Sequence, residues 1–118
     1  MKLINKSRNL IIAENVKMCR SFFSRLKGLM FSLSLKNNEA LVLEAEKESF
    51  SLSSIHTFFV FFPIDVVWLD RNFNVVDVKS NIRPFSLFIR PKRAAKYVIE
   101  LKRDMAWNIG LNDKLVFI

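Results

Sequence analysis

The chain has 118 residues, 51% hydrophobic and 25% charged, the size and composition of one globular domain that builds a core without disulfides or a structural metal. A single His and a single Cys exclude a four-ligand Cys/His zinc site within one chain. Lys and Arg number 19 against 11 acidic residues, a formal charge of +8 with a sequence pI near 10.0, so polyanions are admissible partners.

At the N-terminus Lys2, Lys6 and Arg8 interrupt the apolar residues, leaving no uncharged core for a signal peptide. The stretch Leu10 to Met18 alternates around Ile11, Ile12 and Val16 and predicts one bent strand or two short ones. The period then changes. Ser21 is placed to cap a short helix of about two turns, whose apolar residues Phe22, Phe23, Leu26 and Leu29 recur at helical spacing, and Gly28 is placed to end it in a left-handed conformation. Lys36-Asn37-Asn38 is turn chemistry leading into a strand at Ala40 to Ala45, and the Ser-rich run Glu48 to Ile55 is a connection.

Ile55 to Asp70 is dense in aromatic and β-branched residues, divided by Pro63, which cannot donate to a sheet ladder. This predicts strands at Ile55 to Phe61 and Ile64 to Leu69, then a hairpin loop at 71–74 into a strand at Val75 to Val78. Pro84 and Pro91 bracket a loop whose Phe85, Leu87, Phe88 and Ile89 predict a flap folded onto the core or the lining of a cleft. Strands at Lys96 to Leu101 and Lys114 to Ile118 and one helical turn at Asp104 to Asn108, stopped by Gly110, complete the chain. The sum is a mostly β fold over residues 1–118, a single compact sandwich or barrel-like antiparallel sheet domain with two short helices.

Charge is blocked along the chain: net +7 over residues 1–36, −4 over 37–66 and +5 over the rest. The lone Cys19 points to a reducing cytoplasm. The longest apolar stretch, Phe58 to Leu69, is too short for a membrane helix and is broken by Pro63 and Asp65.

The stretches Ser24 to Phe31 (SRLKGLMF), Ser54 to Asp70 (SIHTFFVFFPIDVVWLD), Ala95 to Leu101 (AKYVIEL) and Ile109 to Phe117 (IGLNDKLVF) together resemble the uncharacterised family known as domain of unknown function 192, or uncharacterised protein family 0127. The similarity covers nearly the whole chain, from Leu10 to Ile118. The resemblance implies a small, mostly β, single-domain prokaryotic protein of the leaderless kind, with no established activity, substrate or cofactor. The family's R-x-x-G-L-M pattern falls on Arg25, Gly28, Leu29 and Met30, and its aromatic block falls on His56, Thr57, Pro63 and Asp65. This chain departs in having Lys102-Arg103-Asp104 where a Gly often follows Glu-Leu, and Asn112-Asp113 where the family closes on Gly-Asp.

Three functions compete. His56, Thr57, Asp65 and Arg25, beside the Gly28 turn, form a set of convergent polar groups for a non-catalytic binding module with a small cleft. Alternatively, Arg83, Arg90, Lys92, Arg93, Lys96, Lys102 and Arg103, interleaved with Phe85, Phe88 and Tyr97, predict weakly specific binding of nucleic acid or another polyanion. A third is an unrecognised hydrolase in which Asp65 orients His56 and Ser53, Ser54 or Cys19 is the nucleophile, although no nucleophile elbow is present. No cofactor and no metal is expected: there is no Gly-rich phosphate loop, and His56 with Asp65 and Glu44 matches no recognised metal spacing. Glu44, Glu46 and Glu48 alternate as a charged strand edge. Twelve Phe leave open whether the aromatic block is all core or partly an interface with a membrane surface, a protein or a second copy, giving a monomer or weak homodimer.

Overall fold

A computed structural model describes every residue except Phe31, Leu33 and Phe58, and of Phe22 the backbone alone. Its described residues form eight strands and one helix: β1 Leu3–Asn5, β2 Leu10–Ala13, β3 Asn15–Cys19, α1 Phe22–Lys27, β4 Glu39–Ser49, β5 Ile64–Leu69, β6 Val75–Ile82, β7 Ala95–Lys102 and β8 Leu115–Phe117. The fold is mostly β. Three strands make one sheet in the order β2-β1-β8, and five make the other in the order β3-β4-β7-β5-β6. Pairing is antiparallel except between β3 and β4, whose parallel alignment needs the crossover that α1 supplies.

The stretch from Leu10 to Met18 is two short strands in different sheets. The bend at Glu14 is held by Asn38, whose carbonyl and side-chain oxygens both accept from Glu14 N, at 3.2 and 2.9 Å. In α1, Ser21 Oγ accepts from Ser24 N at 3.1 Å, and Gly28 closes the helix at φ 47°, ψ −121°, a region open to glycine alone.

Period-two alternation puts an apolar row on each face of the larger sheet. Ala40, Val42, Val67, Leu69, Tyr97, Ile99 and Leu101 face the smaller sheet, meeting Leu3, Ile12 and Leu115. The opposite row, Leu41, Leu43, Val66, Trp68 and Val98, packs under Leu29, Leu35, Ile55 and Val60 from the helix end and loops. Both faces being covered explains why all six residues of β5 are buried.

Three expectations need correction. No strand forms over 55–61, where Phe58 lies outside the described residues. Ile55 makes only an isolated bridge to Ile89, Thr57 O accepts from Val60 N at 3.0 Å in a tight turn, and Phe59 has φ 59°, which ends an extended backbone. The second helix is a run of turns, with Met105 N donating to Lys102 O and Ile109 N to Ala106 O. Of the loop around Phe85, Ile89 packs against the core, but Phe85, Leu87 and Phe88 are exposed. On α1, Phe23 and Leu26 are exposed too. No helix among the described residues is long and apolar enough to cross a membrane.

Candidate functional site

A cleft of about 250 Å³ opens where the end of α1 meets the helix-side face of the sheet; Arg25, Gly28, Ser54, His56, Val98 and Glu100 are among its lining residues. The same alternation that sends Tyr97, Ile99 and Leu101 to one core sends Val98 and Glu100 to this side. Glu100 is 2% exposed. Among the described residues no hydrogen bond or ion pair reaches its carboxyl, and burial alone pushes its pKa up to about 8, because an ionised carboxylate loses its hydration there with no countercharge in return. Near neutral pH the group is therefore largely the neutral acid, able both to donate and to accept.

Gly28 fits this wall tightly. A Cβ at that position would stand 3.1 Å from Glu100 Oε1. Arg25 lines the cleft, yet its guanidinium is already engaged: Nη1 donates to Arg20 O at 2.9 Å and to Glu44 O at 3.1 Å, and Nη2 lies 3.7 Å from Glu46. Arg25 thus staples the helix to β4.

The structure brings Arg25, Gly28 and His56 to one cleft and sends Asp65 and Thr57 elsewhere. Asp65 is fully buried; its Oδ1 accepts from Asn81 N at 2.9 Å and its Oδ2 from Ala106 N at 3.0 Å, so it ties the end of β6 and the 103–109 turns to β5. Thr57 is likewise buried; its Oγ1 donates to Arg83 O at 2.7 Å and accepts from Ser86 N at 2.8 Å.

The three nucleophiles of the hydrolase scheme are also committed. Ser53 Oγ donates to Ser49 O and to Phe50 O, Ser54 Oγ donates to Phe50 O at 2.8 Å, and each hydroxyl proton so used is turned away from a general base. Cys19 is buried, and burial pushes its thiol up against the opposing pull of Lys17, the nearby Glu100 adding to the rise.

The basic C-terminal stretch divides in space. Arg83, Arg90, Lys92 and Arg93 are exposed along one loop. Lys96 turns to Ala45 O at 3.3 Å and Glu44 at 3.8 Å. Arg103 pairs with Asp104 at 3.6 Å, and with Lys102 it lines a separate hollow beside Pro63. The acidic row on β4 is engaged as well: Glu44 accepts from Arg20 Nε at 3.0 Å, Glu46 faces Arg25, and Glu48 accepts from Arg71 N at 2.9 Å. Among the described residues no three of His, Cys, Asp and Glu gather as a metal ion would require.

A family model described as "Uncharacterized ACR, COG1430", DUF192, matches residues 3–117. The chain belongs to the DUF192 family. A UPF0127 protein of Pyrococcus horikoshii is 40% identical over 107 residues, which cover 91% of this chain and 89% of that protein. One from Thermococcus sibiricus is 41% identical over 98 residues, 83% of this chain and 61% of that protein, so the chain spans about three fifths of that relative. A crystal structure of a protein of unknown function from Novosphingobium aromaticivorans matches with a TM-score of 0.86 at 17% identity, over 98% of this chain and 82% of that one. Another, from Sinorhizobium meliloti and named as a candidate transcription regulator, gives 0.84 at 17%, over 98% and 89%. At such identity the likeness shows the fold alone.

The cleft residue that motif reasoning passed over in this DUF192 chain is Glu100. The alternation hid it: Glu100 shares its row with Lys96, Val98 and Lys102, while Ala95, Tyr97, Ile99 and Leu101 make the apolar row, so the acid reads as part of a polar face. A charge in such a row is either at an edge or buried for a reason. Only the placement of β7 between β4 and β5 decides that it is buried.

Proposed function

We propose that this chain is a non-catalytic binding module, one domain over residues 1–118, whose cleft beside Gly28 and His56 takes a small group that exchanges hydrogen bonds with the neutral Glu100 carboxyl. One observation carries this: a buried carboxyl without a protein partner opens into the cleft. Water in the cleft is then what its oxygens can bond, and a ligand offering an acceptor and a donor side by side, as a carboxamide or peptide edge does, would replace that water. Ser54 and His56 at the mouth add polar rim groups to apolar walls from Leu29, Leu43 and Val98, the mixture that small-ligand sites present. A reducing, cytoplasmic setting fits the lone buried Cys19.

The test is an NMR titration of the chain with small carboxamides, and with amines and carboxylates of matching size as controls. Carboxamides are expected to shift the Gly28 amide and the His56 ring below pH 7, with the effect fading above pH 9 as Glu100 ionises, and to do nothing to a folded Glu100→Leu variant. Shifts spread evenly over the surface, or unchanged in Glu100→Leu, overturn the reading.

A further inference from the structure

The loop between β6 and β7, with the 59–61 segment beside it, exposes large apolar side chains, and four exposed cations lie on the same loop. Leu87 is 55% and Phe88 84% exposed, and Phe59, Phe61 and Phe85 add exposed ring area. Phe59, Phe61 and Phe85 make one patch, because Phe85 meets Phe61 edge-on at 5.8 Å between centroids and Phe59 at 6.3 Å, and Leu87 and Phe88 follow on the same loop. Contiguous exposed apolar area of this kind marks an interaction site.

The patch is held outward by structure rather than left loose. Ile55 and Ile89 exchange two backbone hydrogen bonds of 2.9 Å, Thr57 N donates to Ser86 O, and Phe85 N donates to Thr57 O, both at 2.8 Å. The Thr57 hydroxyl adds its two bonds to Arg83 and Ser86, a role that explains its burial. Phe59, Phe85 and Phe88 sit at φ 59°, 60° and 57°, left-handed conformations that are strained for bulky residues and persist where the surroundings over-determine them.

Charge selects the partner. Arg83, Arg90, Lys92 and Arg93 are all exposed on this loop, none forms an ion pair among the described residues, and no acidic residue occurs between positions 78 and 99. We propose that this loop docks the protein on an anionic lipid bilayer, Leu87 and Phe88 entering the acyl boundary while the four cations meet headgroup phosphates. Apolar tips plus basic residues on the same loop supply the two signals that stable surface anchoring requires. A second copy fits poorly, since a two-fold contact would bring eight cations together with no carboxylate between them. Single-stranded nucleic acid fits less well than lipid, because Leu87 has no ring to stack a base and Phe85 is taken up with edge-on ring contacts.

The experiment is co-sedimentation of the full chain with vesicles of phosphatidylcholine alone and of phosphatidylcholine mixed with phosphatidylglycerol. Binding is expected to the anionic vesicles only. It should weaken at least about tenfold in Leu87→Ser/Phe88→Ser and about fivefold for each of Arg90, Lys92 and Arg93 changed to Ser; all five positions are exposed, and a thermal melt checks that folding is kept. No binding, or equal binding to both vesicles, overturns the proposal. A single-stranded oligonucleotide that binds more tightly and ignores Leu87→Ser/Phe88→Ser, or self-association abolished by that pair, reassigns the surface and overturns it as well.

Discussion

Glu100→Gln removes the one ionisation that the fold opposes most strongly. In the unfolded chain this carboxyl loses its proton near the ordinary 4.5, whereas in the fold it holds it to about 8. Between those values the folded protein binds a proton that the unfolded one does not, so stability falls as pH rises. The contribution is complete below pH 4.5 and gone above pH 8. At about 1.4 kcal/mol per pH unit, that span amounts to about 5 kcal/mol, a large part of the 5–15 kcal/mol that holds a domain together. Glutamine keeps the shape and cannot ionise. Urea denaturation of both proteins from pH 5 to pH 9 should therefore show the variant gaining on the wild type by about 4 kcal/mol, with equal m-values. Parallel pH profiles would refute the reasoning: Glu100 would then be solvated or paired in the fold, and the cleft would lose the feature that makes it a site.

Gly28→Ala places a Cβ 3.1 Å from Glu100 Oε1 at a φ of 47°, and a loss of roughly 1–3 kcal/mol is expected in the same urea assay; an unchanged midpoint would show the turn to be unstrained. Asp65→Ala strands two buried backbone N–H groups and should destabilise by about 3 kcal/mol, with a thermal shift near zero contradicting the assigned role. Asp113, which burial would raise, is instead held below the usual aspartate range by the Asn5 amide, the Gly110 N–H and Arg8. Its contribution is present above pH 4 and is lost as pH falls through that lowered value; Asp113→Asn should flatten the acid limb, and an unaltered limb would rule this out. The Cys19 thiol should react with an aromatic disulfide reagent at least about a hundredfold faster in urea than in the native protein, and equal rates would mean that it is accessible.

Local signals in the chain were enough for much of the fold. The run Ile64 to Leu69 is β5 because β-branched residues after Pro63 have no competing local structure. Ser21 and Gly28 bound α1 because capping and left-handed closure are properties of single residues, and Asn112 takes φ 68° in the turn where the family prefers glycine, as a short polar side chain allows. Part of the site was legible on the same grounds: Arg25 and Gly28 are one helical turn apart, so their proximity is local.

What the tertiary structure decided was everything that depends on which surfaces meet. Ile55 to Phe61 has strand composition, but Thr57 spends its backbone groups on Val60, Phe85 and Ser86, so the segment turns and Phe59 and Phe61 are left outside. Asp65 is only nine residues beyond His56 in the chain, yet main-chain donors forty-one and sixteen residues away claim both of its oxygens. Glu100 is acidic in any context, yet its neutrality follows from a central strand covered on both faces. The sequence by itself determined local conformation, through torsional preference, capping and apolar period. Burial, pairing and exposure were decided only on folding, because desolvation and hydrogen bonding depend on partners that chain order does not specify.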